Sequence, residues 1–206
     1  MADPTTFGWG GLRFSWGDHI CAIFENHQQQ MSLMVPFLAQ GILAGQRCAW
    51  ISPASAARAF RDAFAEAGGD IPSLETSGQL VILPDVDFYL RGGSFEPGRT
   101  LELAMLLLED GQRQGYPAMR VAADVSWLAE GPADFELWER YEAQVTAALS
   151  QVPMVAVCQY DHRRFPGSLV LAALHTHPIV ILGETVCRNP FHDSLPRERR
   201  ERPQIM

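Results

Sequence analysis

The chain of 206 residues contains no lysine: all sixteen of its Lys+Arg positions are arginine. That removes the lysine of a phosphate-binding loop, a Schiff-base lysine and a lysine general base in one stroke. Arginine still pairs with phosphate, but through a planar fork and not a compact ammonium. A broad basic face is missing as well. The net charge is -8, which argues against direct nucleic-acid binding, because such proteins need a surface that neutralises phosphates. The basic cluster RERRER at 197–202 has glutamates between its arginines and reads as a solvated tail. Cysteine is scarce, and Cys21, Cys48, Cys158 and Cys187 form no CxxC pair. Zinc-ribbon and thioredoxin readings therefore fail, and buried reduced thiols are expected. No apolar run reaches membrane-spanning length, and MADPTTFGWGGLRF lacks the core of a signal peptide. The expectation is a cytoplasmic protein without a membrane partner.

What is present is an alternation of short apolar runs and helical patterns. Strands are expected at 19–24, 47–52, 79–84, 118–127, 154–160 and 178–183. Helices are expected at 32–45, 54–69, 95–115, 131–151 and 167–177. Pro36 predicts a kink in the first helix or a start just before it. Pro132 and Asp134 open the fourth. Strands apolar on both faces, alternating with helices, describe an α/β fold in three layers: a mostly parallel sheet flanked by helices, with right-handed crossovers. No internal repeat is visible. Residues 12–192 read as a single domain, with an extension at 1–11 and a charged tail at 193–206.

In such sheets ligands bind beyond the carboxyl ends of the strands. That rule selects Glu25, Asn26 and His27 after the first strand, and Ser52 and Pro53 after the second. Asp85, Asp87 and Tyr89 follow the third, Asp124, Ser126 and Trp127 the fourth, and Tyr160, Asp161 and His162 the fifth. The first junction, ENHQQQ at 25–30, has neither glycine nor lysine. A phosphate loop needs glycines so that backbone N–H groups converge on the anion. Here Asn26 or Glu25 is expected to cap the helix, leaving a smaller, drier pocket. Trp50, Trp127, Tyr89, Phe88 and Tyr160 are expected either to wall it, with His27 or His162 as polar anchor, or to be ordinary core; Asp124 is a further ligand-binding candidate, its alternative role being to cap the following turn. His19 reads as an edge or core histidine. His175 and His177 in HTHP end a helix before Pro178, or offer two metal ligands from one side. The sequence supplies no third ligand beside them, and no cofactor signature. A nucleophile elbow and a redox pair are absent too.

The segments WGDHICAIFEN, VPFLAQGILAGQRCAWI, ADVSWL, YEAQV, VCQYDHRRFPGSLVLAALHTHPIVI and NPF together resemble the MEDS domain of methanogens, methylotrophs and a dichloromethane-responsive regulator. The resemblance spans roughly residues 12 to 192. It implies a degenerate RecA- and KaiC-like fold without a phosphate-binding loop, acting as a non-enzymatic sensor of small molecules in prokaryotic signalling. Small hydrocarbon derivatives are the implied ligands. Members are usually fused to a DNA-binding, histidine-kinase or anti-sigma output. This sequence ends soon after NPFHD, so a partner in trans, such as a histidine kinase, anti-sigma factor or transcription regulator, is expected. A second reading is a non-sensing scaffold of the same fold, used for homo-oligomer formation or regulator docking, and a third is an enzyme built on His162, Asp124 or the HTHP histidines.

Overall fold

The computed structural model describes residues 7–9, 12–130, 134–183 and 185–192. The tail at 193–206, most of the N-terminal extension and Pro132 lie outside them.

A short antiparallel hairpin, β1 (Phe7–Trp9) and β2 (Leu12–Phe14), precedes the main sheet. The main sheet comprises β3 (His19–Phe24), β4 (Arg47–Ser52), β5 (Leu80–Pro84), β6 (Met119–Asp124), β7 (Met154–Asp161), β8 (Ile179–Leu182) and β9 (Thr185–Arg188). Their spatial order is β5-β4-β6-β7-β3-β8-β9, and every pairing is parallel except β8 with β9. Each residue of β3, β4, β6 and β7 is buried. Continuous apolar strands such as CAIF and MVAV are what a sheet covered on both faces requires.

The helices divide between the faces. Helices α1 (His27–Leu43), α2 (Ala54–Glu66) and α3 (Ile71–Thr76) bury Met34, Leu38, Phe60 and Ile71 against Ile20, Ala22, Cys48, Trp50 and Val157. After the single-turn α4 (Asp85–Phe88), α5 (Pro97–Arg113), α6 (Phe135–Leu149) and α7 (Gly167–Thr176) cover the other face. There Leu108, Trp138, Tyr141, Val145 and Leu169 meet Cys21, Ile51, Ala123 and Cys158. Alternate residues of one strand thus feed two separate cores. Each fully buried aliphatic side chain contributes about 1.5–3 kcal/mol of burial energy.

Three boundaries differ from the sequence reading. Helix α1 starts well before Pro36, at a cap on Asn26, and continues through the proline. Pro36 and Ser32 both face solvent, so water can take the Ser32 carbonyl that the missing N–H leaves free. Strand β6 stops at Asp124, because its Oδ1 accepts the Ser126 N–H at 2.8 Å and turns the chain into a 3-10 helix at Ser126–Ala129. Asp85 opens α4, its Oδ1 accepting the Val86 N–H at 2.8 Å.

Candidate functional site

The β3–α1 junction is closed by its own side chains. Asn26 Oδ1 accepts the Gln29 N–H at 2.9 Å, and Gln29 Oε1 accepts the Glu25 N–H at 2.8 Å. The helix N-terminus is thereby capped from within by side chains of its own junction. One turn into α1, buried Gln30 donates through Nε2 to Asp124 Oδ2 and to Gln159 Oε1, both at 3.0 Å. Its Oε1 lies 3.0 Å from His27 Nδ1. Gln30 therefore joins His27 to the strand-end aspartate and fills the space between them.

On the other side of the sheet the aromatic residues form a continuous cluster. Tyr89 stacks on Trp127 with centroids 5.2 Å apart, and both pack edge-on against Trp138. Phe95 and Tyr141 extend the cluster. Beneath it, between the sheet and helices α5 and α6, lies a cavity of about 40 Å³. Its walls include Ile51, Leu101, Ala104, Val145 and Ala156, and it also meets Tyr89, Tyr141, Glu142 and Cys158. Neither the Tyr89 nor the Tyr141 hydroxyl has a hydrogen-bond partner among the described residues. Burial holds both hydroxyls far above the usual tyrosine range, and nearby Glu142 and Cys158 push the same way. They remain neutral donors at one end of an otherwise apolar chamber.

That end continues into a buried polar centre. Glu142 Oε1 accepts the Tyr160 hydroxyl at 2.7 Å. Oε2 lies 3.3 Å from His19 Nε2 and 3.7 Å from His177 Nε2. His19 Nε2 is also 3.3 Å from Cys158 Sγ. Burial raises Glu142 to about 8, opposed by the Tyr160 hydrogen bond, and lowers His177 to about 3. His19 is held well below the ordinary imidazole range, first by burial and then by His177. Burial and neighbouring Glu142 hold the Cys158 thiol well above its own. Burial thus disfavours the charged form of both partners at the short His19–Glu142 contact.

The site residues read from sequence are divided by this arrangement. Tyr89 lines the cavity, Trp127 roofs it through Tyr89, and Tyr160 reaches it through Glu142. Phe88 also lines the cavity. Trp50 is not: it stacks on Phe60 at 4.5 Å on the opposite face, with Nε1 donating to Ser52 Oγ. His27 and Asp124 meet through Gln30 on that same far side. His162 is exposed, while its neighbour Asp161 pairs with Arg163 at 2.8 Å. His175 and His177 also part, His175 toward Glu139 at 3.7 Å and His177 into the core. Sequence reasoning missed Gln30, Tyr141 and Glu142. A glutamate on the apolar stripe of α6, in line with Trp138 and Val145, was the available signal.

Comparison with known proteins agrees with the architecture. A KaiC-like protein from the hyperthermophilic archaeon Pyrococcus horikoshii OT3 superposes with a TM-score of 0.58, covering 81% of this chain and 71% of that one at 13% identity. The chain shares its α/β fold. The transcriptional repressor DcmR of Methylorubrum extorquens is 27% identical over 169 residues, which is 81% of this chain. The match spans 60% of that repressor's length. Residues 18–178 match the family model described as MEthanogen/methylotroph, DcmR Sensory domain, and the chain belongs to that MEDS family.

Proposed function

We propose that this chain is a non-enzymatic sensory module of a transcription-control system, which binds a small organic molecule in the cavity beneath Tyr89 and acts through a regulator partner. The observation that carries this reading is a largely apolar chamber lined by Tyr89 and Tyr141, whose hydroxyls have no hydrogen-bond partner among the described residues. Room of about 10–15 Å³ suffices for one water. A cavity of about 40 Å³ then takes a molecule of a few non-hydrogen atoms, such as a short alcohol, aldehyde, acid or halocarbon. Its polar atom would meet the tyrosine hydroxyls and its carbon atoms would rest on Leu101, Ala104 and Val145. Family membership and likeness to a transcriptional repressor support the sensory role.

The old nucleotide crevice is not the binding site in this reading. The chain has no lysine, and Gln30 occupies the approach to Asp124. A thermal-shift panel of small alcohols, aldehydes, organic acids and halocarbons, beside ATP-Mg and GTP-Mg, tests it. Stabilisation by an organic molecule and none by nucleotide is expected; stabilisation by nucleotide alone would overturn the reading. Silence across the panel would favour the scaffold, for which a stable homo-oligomer indifferent to small molecules is expected.

A further inference from the structure

The geometry points to a second, distinct site: a tetrahedral centre for a divalent transition metal of the zinc class, held by His19, Glu142, Cys158 and His177. One ligand atom from each of these four buried residues lies within 4.8 Å of all the others. Zinc bonds to nitrogen, oxygen and sulfur of about 2.0–2.3 Å imply ligand-to-ligand edges of about 3.3–3.8 Å in a tetrahedron. The measured separations are 3.3 Å for His19 Nε2 to Glu142 Oε2 and 3.3 Å for His19 Nε2 to Cys158 Sγ. Those from Glu142 Oε2 to His177 Nε2 and to Cys158 Sγ are 3.7 and 3.8 Å. The two remaining edges, from His177 to His19 and to Cys158, are within 4.8 Å, so closing the cage draws His177 inward.

Proton placement leads to the same assignment. His177 Nδ1 lies 2.7 Å from the Ala173 carbonyl, which only accepts, so Nδ1 carries the hydrogen. Thr146 Oγ1 is 2.8 Å from the Thr176 carbonyl and 2.8 Å from His19 Nδ1. Its own hydrogen goes to a carbonyl, so it accepts from His19 Nδ1–H. Both imidazoles thus aim bare Nε2 lone pairs at the centre. His177 Nε2 is buried and has no hydrogen-bond partner among the described residues. An orienting bond on the outer nitrogen and an open inner one is the arrangement metal-binding histidines adopt. The Tyr160 hydroxyl steadies Glu142 in the same way.

Without a cation this centre is poorly satisfied. His177 Nε2 has no hydrogen-bond partner among the described residues, and the Glu142 oxygen, 3.7 Å away, is too far to supply one. Around a divalent ion, one carboxylate and one thiolate cancel its charge. Two imidazoles and a thiolate select zinc-class ions over magnesium or calcium. The centre would tie α6 to β3, β7 and the segment before β8. It stands whatever the neighbouring cavity binds.

The test is metal analysis of the full chain expressed with zinc, and separately with cobalt, in the medium. One equivalent of metal per chain is expected. The cobalt form is expected to show a thiolate-to-cobalt charge-transfer band and the intense visible bands of a tetrahedral ion. Cys158→Ala and His177→Gln should lose metal and bands, while Cys187→Ser, which removes the exposed thiol, and His175→Ala keep them. If a core variant fails to fold, the wild-type cobalt spectrum decides. Folded wild-type protein without stoichiometric metal, or a charge-transfer band that survives Cys158→Ala, would overturn the assignment.

Discussion

The Tyr160 hydroxyl, on β7, donates to Glu142 Oε1, on α6, at 2.7 Å, and the Trp138 indole N–H reaches the same hydroxyl at 3.3 Å. This pair joins the aromatic cluster, the cavity and the buried polar centre. Tyr160→Phe leaves one oxygen of a buried carboxyl without its donor. Leaving such a group unsatisfied costs about 1–3 kcal/mol, so the denaturant midpoint is expected to fall by a corresponding amount. An unchanged midpoint would mean that the bond is not formed in solution.

Tyr141→Phe should behave in the opposite way. Tyr141 lines the cavity, and its hydroxyl has no hydrogen-bond partner among the described residues, so nothing is stranded when it goes. The unliganded variant is expected to be as stable as the wild type or slightly more so. Its stabilisation by a cavity ligand is expected to shrink. The comparison of Tyr141→Phe with Tyr160→Phe separates a ligand-binding hydroxyl from a structural one by denaturation curves alone.

Gln30 makes its case on the far side of the sheet. Gln30→Ala removes the donor shared by Asp124 and Gln159 and is expected to cost about 1–3 kcal/mol. It should not create ATP binding, since a phosphate-binding lysine and glycine-rich turn are still absent. His162→Ala, at an exposed position, should change stability by no more than about 0.5 kcal/mol and leave ligand stabilisation intact. A loss of ligand response in that variant would move the pocket to the strand ends.

Asp85 supplies a pH-dependent expectation. Burial raises its pKa above 3.8, and the charges of Asp124 and Glu130 push the same way. A carboxyl with a raised folded pKa keeps its proton in the folded state after the unfolded chain has lost it. Stability therefore falls as pH rises from the unfolded value through the folded one. Asp85→Asn keeps an oxygen for the Val86 N–H but cannot ionise. It is expected to be more stable than the wild type at neutral pH and to lose that advantage below pH 3.8. Urea melts at several pH values check the crossing.

Much of this was legible in the chain itself. Strands at 19–24 and 47–52 coincide with β3 and β4, because runs buried on both faces leave no polar alternation to confuse. The antiparallel β9 was not, since TVCR is short, largely exposed and without period. For the proposed site, strand ends pointed to Tyr89, Trp127 and Tyr160, yet which face each side chain takes depends on register. Trp50 and His27 lie on the other face of the sheet for that reason. Glu142 was hidden because it lies mid-helix, where a charged residue is usually solvated. Its meeting with His19, Cys158 and His177 joins α6 to β3, β7 and the segment before β8, which are far apart in sequence.

The most direct measurement compares ligand-induced thermal stabilisation in the wild type and in Ala104→Leu, whose added carbon atoms would fill the cavity. A ligand at a hundred times its dissociation constant stabilises by about 2.7 kcal/mol, or about 5–10 °C for a chain of this size. The expected result is that shift in the wild type and its loss in a folded Ala104→Leu protein. An equal shift in both would place the ligand elsewhere and contradict the cavity as the sensing site.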